Sequence, residues 1–171
     1  LLLRVRRQLL SINLPDGYRL RVLDEVDSTN AEAARIVAQL AGPEWVLARR
    51  QTNGRGRRGR AWSDPVGNFA ASLVLFPQHP PDQIALRSFV AALALFDALV
   101  ATTGRSDTLA LKWPNDVLLN GGKVAGILLE TSALSGGGFA LTIGFGVNLV
   151  HTPQSSGPEA RAMPPVCVLS E

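Results

Sequence analysis

Closely spaced apolar segments in the second half of the chain constrain its fold more than any other feature. The segments TLALKWP and KVAGILLET lie on either side of NDVLLNGGK, in which the dipeptide Asn120-Gly121 suits a tight turn. We therefore predict that the two segments are the strands of a hairpin. A further apolar segment, residues 139–149, predicts the last strand of the chain.

Two helices are predicted from capping and stop signals. The first begins at residues 28–30, because Thr29 and Glu32 have capping-box spacing and apolar residues follow at helical intervals. The second covers PDQIALRSFVAALALFDALVATTG, with Asp82 as its cap and Gly104 as its stop.

Three further strands are predicted at residues 18–27, 44–51 and 68–76. The predicted order is therefore β-α-β-β-α-β-β-β, which lacks the regular alternation of a doubly wound fold. This order predicts an α+β fold with a mixed, mainly antiparallel sheet flanked by helices.

Composition indicates one folded domain. The chain has 171 residues, of which 46% are hydrophobic and 18% are charged, so a packed core is expected. We place this domain at residues 1–150 and expect the proline-rich residues 151–171 to form a tail. Cys167 is the single cysteine, and no apolar run has the length of a signal or membrane segment. A cytoplasmic protein without membrane association is therefore expected.

Residues 49–60, RRQTNGRGRRGR, contain six arginines and no acid, although the net charge of the chain is only +3. The letters GRGRRG match the dinucleotide fingerprint G-x-G-x-x-G, but Pro65 and Gly67 exclude the helix that this fingerprint requires. A Walker A loop is excluded because Arg60-Ala61 stands where Lys-Ser/Thr is needed. The loop is expected to be a flexible cationic flap over a phosphate or carboxylate, with a solvated surface loop as the alternative.

The chain has only two lysines, Lys112 and Lys123, and they flank the predicted hairpin. Lysine is a compact point charge that suits a single phosphate or carboxylate oxygen. The alternative for Lys112 is the solvated end of a strand.

Four motifs in order resemble the catalytic domain of bacterial biotin–protein ligases: DSTN at 27–30, GRGRRGRAW, KWPNDVLLNGGKVAGILLE and IGFGVN. The resemblance extends from about residue 20 to residue 150. It implies a mixed, mainly antiparallel sheet related to that of class II aminoacyl-tRNA synthetases, which agrees with the predicted α+β class.

The resemblance also implies an activity. A biotin–[acetyl-CoA-carboxylase] ligase uses ATP and Mg²⁺ to convert biotin to biotinyl-5′-AMP, then transfers the biotinyl group to a lysine of a biotin carboxyl carrier domain. No metal bound by protein side chains alone is expected, because no Cys/His cluster has zinc-ligand spacing. His79 and His151 have no motif around them and are expected at the surface.

The implied roles fall into three overlapping groups. The residues implied to bind biotin are Ser28, Thr29, Asn30, Gln51, Arg55, Gly56, Arg57, Trp62 and Lys123. Those implied to bind the nucleotide are Arg57, Lys112, Asn115 and Asn148, and those implied in catalysis are Lys112, Lys123 and Arg57.

Some of these assignments have structural alternatives. The DSTN residues also suit helix capping, Trp62 could anchor the base of the loop, and the glycines of IGFGVN could allow close packing of strands.

The chain also departs from the family pattern. The residues before DSTN are too few for a winged-helix domain, so no DNA binding is expected. Members of the family usually continue past IGFGVN into a further helix and a small β-barrel. Residues 151–171 are therefore expected to be the start of a truncated C-terminal region, and the alternative is that the further parts are dispensable. The oligomeric state stays open, a homodimer included.

Two alternative functions are weighed against biotin ligation. A lipoate–protein ligase shares the fold and the adenylation chemistry. A nucleic-acid binder would use the arginine loop as a phosphate clamp, but basic residues are sparse outside the loop and the N-terminus.

Overall fold

The computed structural model describes residues 13–78, 83–84, 86–154 and 163–171. Two α-helices occur in these ranges, α1 (Thr29–Ile36) and α2 (Arg87–Thr103). The strands there are β1 (Arg19–Leu23), β2 (Glu44–Ala48), β3 (Phe69–Leu75), β4 (Leu109–Lys112), β5 (Asp116–Leu119), β6 (Gly122–Ala133) and β7 (Phe139–Val147).

The described strands form one seven-stranded sheet in the order β1-β2-β3-β7-β6-β5-β4. The β1–β2 pair is parallel and the other neighbouring pairs are antiparallel. The predicted α+β fold with a mixed, mainly antiparallel sheet is therefore confirmed.

The predicted hairpin between TLALKWP and KVAGILLET is wrong in one respect. Strand β5 lies between β4 and β6 and pairs with both, so the region is a three-stranded meander. Val117 and Leu119 alternate into the core, but four residues beside a turn are too few to display a period of two. The predicted turn at Asn120-Gly121 is confirmed: both residues have positive φ, 50° and 79°, and join β5 to β6.

Helix α1 starts one residue earlier than the capping-box spacing suggested. Ser28 is the N-cap, with φ −154° and ψ 135°, and its hydroxyl accepts from the backbone N–H of Ala31 at 3.4 Å. Thr29 does not cap the helix because its backbone N–H and its hydroxyl both contact Gln51. Ser28, Thr29 and Asn30 all line the cavity described below.

The two helices pack on opposite faces of the sheet. Helix α1 packs through Ala33 and Ile36 into a cluster that includes Ala140 of β7. Helix α2 packs against Leu141 and Ile143, which point the other way on the same strand. Strand β7 therefore packs against α2 on one face. Its other face packs against α1 and carries the cavity described below.

Helix α2 ends where the sequence predicts. Gly104 has φ 71°, and its N–H reaches the carbonyl of Val100 at 2.8 Å, as expected for a glycine that stops a helix. The predicted cap Asp82 and the predicted surface residue His79 lie outside the described residues. Among the described helices, none has the length and apolar character that crossing a membrane requires.

Residues 163–171 pack against the sheet. Val166 donates its N–H to the carbonyl of Lys123 at 3.0 Å, and Lys123 donates to the carbonyl of Pro164 at 2.8 Å. Cys167 is buried, with 3% of its surface exposed. This segment forms one wall of the cavity.

Candidate functional site

A cavity of about 780 Å³ lies on the α1 face of the sheet, between the start of α1, the glycine–arginine loop (residues 54–60) and strands β6 and β7. It is lined by every residue that the resemblance implies for biotin or nucleotide, with the exception of Lys112. These residues are Ser28, Thr29, Asn30, Gln51, Arg55, Gly56, Arg57, Trp62, Asn115, Lys123 and Asn148.

Three glycines on β6 and β7 form much of the floor of the cavity. Gly126 and Gly146 are register partners on β6 and β7, and Gly144 pairs with Leu128. A Cβ atom on Gly146 would lie 2.5 Å from Cε2 of Trp62, and one on Gly144 would overlap the amide of Asn30. Side chains and a ligand can therefore approach these strands only because glycine occupies the positions.

One end of the cavity holds neutral hydrogen-bonding groups. Gln51 accepts from the backbone N–H of Thr29 at 2.8 Å and lies 3.1 Å from its hydroxyl. The buried hydroxyl of Ser72 lies 2.8 Å from the Thr29 hydroxyl and 2.6 Å from the Asn30 side-chain oxygen. Because Ser72 has one hydroxyl proton, it donates to only one of the two. Amide and hydroxyl groups in this arrangement suit a neutral ligand with both donors and acceptors.

The start of α1 is anchored from outside the cavity. The carboxylate of Asp27 accepts from the N–H of Ser28 at 2.8 Å and pairs with the guanidinium of Arg35. The Arg35 hydrogen bond is the main reason that the pKa of Asp27 is lowered to about 2. The neighbouring Ser28, Thr29 and Asn30 are all buried.

The glycine–arginine loop forms a short hairpin. Trp62 donates its N–H to the carbonyl of Gly54 at 2.8 Å, and Gly56 donates to that of Arg60 at 2.7 Å. Arg58 adopts φ 58°, which turns the chain at the tip. The guanidinium of Arg57 reaches across to the side-chain oxygen of Asn115 on the opposite wall, at 3.1 Å. The loop thus contributes cationic groups to the cavity while its backbone closes on itself.

Trp62 lies both at the base of the loop and in the lining of the cavity. Its indole packs onto Gly126 and Gly146 at the base of the loop and also lines the cavity. The ammonium of Lys123 lies 5.7 Å from the ring centroid, within cation–π range. Lys123 also pairs with the carboxylate of Asp116 at 2.7 Å.

Two implied nucleotide residues have other contacts in the structure. Lys112 is exposed and does not line the cavity, but its ammonium lies 3.3 Å from the sulfur of Met163, which does. Asn148 is 1% exposed, and its amide donates to the carbonyls of Val166 at 3.0 Å and Lys123 at 3.4 Å. Asn148 therefore fastens residues 163–168 to the cavity wall.

Sequence reasoning missed four polar residues that support the cavity: Ser72, Asp64, Asp116 and Glu130. Asp64 accepts from the backbone N–H of Gln51 at 3.2 Å and lies 3.5 Å from its side-chain nitrogen. The other oxygen of Asp64 is buried without a hydrogen-bond partner, and burial raises the pKa of this carboxyl. The only available signal was polarity within apolar surroundings, such as the serine in FAASLVL.

No three His, Cys, Asp or Glu side chains in the described ranges come together in a way that could hold a metal ion. Side-chain oxygens of Asn115 and Asp116 lie at the end of the cavity where they contact Arg57 and Lys123, respectively, and both residues follow a cis peptide bond between Trp113 and Pro114. The cavity is therefore a mixed site, with neutral groups at one end and paired charges at the other.

Comparison with known proteins agrees with this geometry. The sequence model of the Biotin/lipoate A/B protein ligase family matches residues 22–148. A biotin–[acetyl-CoA-carboxylase] ligase of Paracoccus denitrificans is 56% identical over 150 residues, which are 88% of this chain and 62% of that protein.

Two solved structures share the fold. The biotin protein ligase of Leishmania major in complex with biotinyl-5-AMP superimposes with a TM-score of 0.76 at 26% identity, covering 92% of this chain and 65% of the other. That of Aquifex aeolicus with biotin and ATP gives 0.70 at 32% identity, covering 89% and 60%. The chain spans less than two thirds of the length of each of these three relatives. On the match of the family model and the identity to the Paracoccus enzyme, the chain belongs to the biotin/lipoate A/B protein ligase family.

Proposed function

We propose that this chain carries the catalytic site of a biotin–protein ligase. In the first step a carboxylate oxygen of biotin attacks the α-phosphorus of ATP, and pyrophosphate leaves. In the second step the amine of an acceptor lysine attacks the activated carbonyl, an amide bond forms, and AMP and a proton are released. The acceptor is a lysine of a biotin carboxyl carrier domain.

One observation carries the proposal: a single cavity collects eleven of the twelve residues implied by the resemblance. The amide and hydroxyl groups of Thr29, Asn30 and Gln51 match the ureido ring of biotin, which both donates and accepts hydrogen bonds. The glycine floor and the indole of Trp62 match its apolar thioether ring and aliphatic chain. The relatives support the same ligand, since the solved structures contain biotin or its adenylate.

The charged end of the cavity suits the adenylation step. Bringing a carboxylate to a triphosphate is opposed by repulsion between anions, which fixed cations offset. Lys123 and Arg57 supply such charges, and their present partners, the side chains of Asp116 and Asn115, would be exchanged for ligand oxygens. In this proposal Arg55, Gly56 and Arg57 close over the adenylate and exclude water from its mixed anhydride. Lys112 approaches the phosphates from the rim.

Mg²⁺ fits the same end of the cavity as part of the proposal. Asp116 and Asn115 present a carboxylate and an amide oxygen there, and Mg²⁺ commonly takes one or two protein oxygens with the rest supplied by phosphates and water. When bound with ATP, Mg²⁺ would neutralise charge on the phosphates.

The need for ATP and a carrier protein favours the cytoplasm as the compartment.

Asn148 has a modified role in this proposal. Its implied contact with the adenine or ribose would be made by the side-chain oxygen, because its nitrogen is held by the carbonyls of Lys123 and Val166. That oxygen lies 3.5 Å from the Asn68 nitrogen, so the contact would replace only a weak hydrogen bond.

Calorimetry of the purified protein with biotin, with and without ATP, followed by mass spectrometry for biotinyl-AMP, tests the proposal. We expect biotin to bind, ATP to tighten retention, and biotinyl-AMP to form. Parallel runs with lipoate test the alternative ligase, since preferential formation of lipoyl-AMP would assign the chain to that branch. Salt-sensitive binding to DNA or RNA without any response to biotin would refute ligase activity.

A further inference from the structure

We propose that Glu130 is a positioning residue, which fixes the orientation of the Asn30 amide and ties the glycine–arginine loop to strand β6 through Arg55. The resemblance assigns no role to Glu130. The inference rests on the proposed function, because the orientation of Asn30 matters only if Asn30 contacts the ligand.

Glu130 lies on the same face of the sheet as the cavity. It pairs with Thr142 in the register of β6 and β7, two positions beyond the Leu128–Gly144 pair and four beyond the Gly126–Gly146 pair. Side chains alternate along a strand, so Gly126, Leu128 and Glu130 point the same way. Glu130 therefore stands at the end of the row that forms the cavity floor.

The contact with Asn30 determines which way its amide faces. Oε2 of Glu130 accepts from Nδ2 of Asn30 at 2.7 Å. An ionised carboxylate only accepts hydrogen bonds, so the amide must turn its nitrogen toward Glu130. The amide oxygen then faces Ser72, at 2.6 Å. Ser72 alone does not enforce this orientation, because a hydroxyl can donate or accept.

Loss of this orientation of the Asn30 amide would weaken ligand binding. Asn30 is 4% exposed, and the other acceptor within reach of its nitrogen is the carbonyl of Leu128 at 3.5 Å. Without Glu130, the buried amide nitrogen of Asn30 would keep only the weak contact with Leu128. The amide could then flip so that its nitrogen donates to the hydroxyl of Ser72. A ligand that matches one orientation would then bind less well.

The same oxygen of Glu130 holds the loop. Nη2 of Arg55 lies 3.2 Å from Oε2, and the two side chains are 42% and 38% exposed. Arg55 lies at the entry to the loop, where its backbone bridges to Ala61. An ion pair of this exposure is weak alone, but here one acceptor joins the residue expected to recognise the ligand to the residue that starts the loop.

Four variants separate the two tasks: Glu130→Ala, Glu130→Gln, Arg55→Ala and the Arg55→Ala/Glu130→Gln pair. The matched control is Glu44→Gln, because Glu44 is a buried strand carboxylate paired with Arg21 at 2.8 Å and does not line the cavity. Three measurements are made on each protein: KM values in ATP–pyrophosphate exchange, the release rate of biotinyl-AMP, and trypsin cleavage within the loop of the ligand-free protein.

We expect Glu130→Ala to raise the KM for biotin by about ten-fold, the effect of leaving a buried donor without its acceptor, with the KM for ATP and kcat little changed. Glu130→Gln keeps an acceptor oxygen, so it should recover most of the affinity for biotin while still releasing biotinyl-AMP faster. Arg55→Ala and the double variant should release biotinyl-AMP at the same rate, because Glu130→Gln keeps an acceptor for Asn30 and either change removes the same ion pair. Trypsin should cleave the loop faster in Glu130→Ala than in Glu44→Gln.

Three results would overturn the inference. An unchanged KM for biotin in Glu130→Ala would show that Glu130 does not orient Asn30 for the ligand. Effects of Arg55→Ala and Glu130→Gln on release that multiply in the double variant would show that Arg55 and Glu130 do not share a contact. A parallel rise in both KM values with a matching loss of thermal stability would indicate a merely structural role.

If the wild-type protein forms no biotinyl-AMP, the proposed function fails, and the role of Glu130 in orienting Asn30 for the ligand fails with it. The trypsin comparison still decides the tie to the loop in that case. Equal cleavage of Glu130→Ala and Glu44→Gln would refute it as well.

Discussion

Replacing Gly146 by alanine should block the cavity floor. A Cβ at this position would lie 2.5, 2.6 and 2.8 Å from Cε2, Nε1 and Cζ2 of Trp62. Ordinary contacts begin at 3.4 Å, so the indole must move by about an ångström. The backbone of β7 cannot retreat, because Gly146 is paired with Ala70 on one side and with Gly126 on the other.

Because Trp62 lines the cavity, we expect the indole to shift into it. Trp62 would then move away from the ammonium of Lys123 and occupy space proposed for the ligand. Overpacking of this kind costs about 1–3 kcal/mol. Binding of biotin would push the indole back against the new Cβ atom, so this energy would oppose binding. Affinity for biotin should therefore fall by about ten-fold to a hundred-fold.

Calorimetry with biotin measures this effect, and urea unfolding measures the accompanying loss of stability. Gly136→Ala is the matched control, because a Cβ at Gly136 meets no atom within 4 Å. A phenyl ring at position 62 is smaller than indole, so Gly146→Ala should cost less affinity in a Trp62→Phe background than in the wild type. Wild-type affinity in Gly146→Ala, or equal losses in both backgrounds, would refute the contact as the cause.

Three further predictions concern the charged groups around the cavity. Burial raises the pKa of Asp64, so the folded state holds its proton more tightly and the unfolding free energy should fall as pH rises through that pKa. The difference in unfolding free energy between Asp64→Asn and wild type, measured by urea unfolding, should therefore favour the variant more at about pH 8 than at about pH 4. An equal difference at both pH values would contradict this. Lys123→Gln should slow pyrophosphate exchange by about a hundred-fold through loss of charge stabilisation. Lys112→Gln, at the rim, should slow it less, and the reverse order would contradict the assignment. Arg57→Ala removes the contact with Asn115 and should release biotinyl-AMP that labels bystander lysines, detectable by avidin blotting. Retention equal to wild type would argue against closure by the loop.

The sequence was most informative where neighbouring residues make the structure. Gly104 ends α2 and Asn120-Gly121 turns the chain because their backbone conformations are local properties. The cavity residues were found through motifs that each occupy a short stretch of chain. What escaped prediction depends on distant partners: Glu130 meets Asn30 across 100 residues, and Ser72 meets Thr29 across 43. Strand β5 was missed for a different reason, since its four residues stand between two turns.

The motif IGFGVN shows how one short stretch can serve two faces of a sheet. Residues alternate across β7, so Ile143 and Val147 enter the hydrophobic core while Gly144 and Gly146 face the cavity. The nearest atoms to the missing Cβ positions of Gly144 and Gly146 belong to the side chains of Asn30 and Trp62, so these glycines make room for side chains rather than for a neighbouring strand. The depth of the cavity therefore comes from absent side chains on the sheet rather than from a gap between elements. Because core side chains fill the opposite face of β7, this strand cannot shift to accommodate a larger residue at Gly144 or Gly146. The alternation of side chains along the strand therefore determines which positions must be glycine.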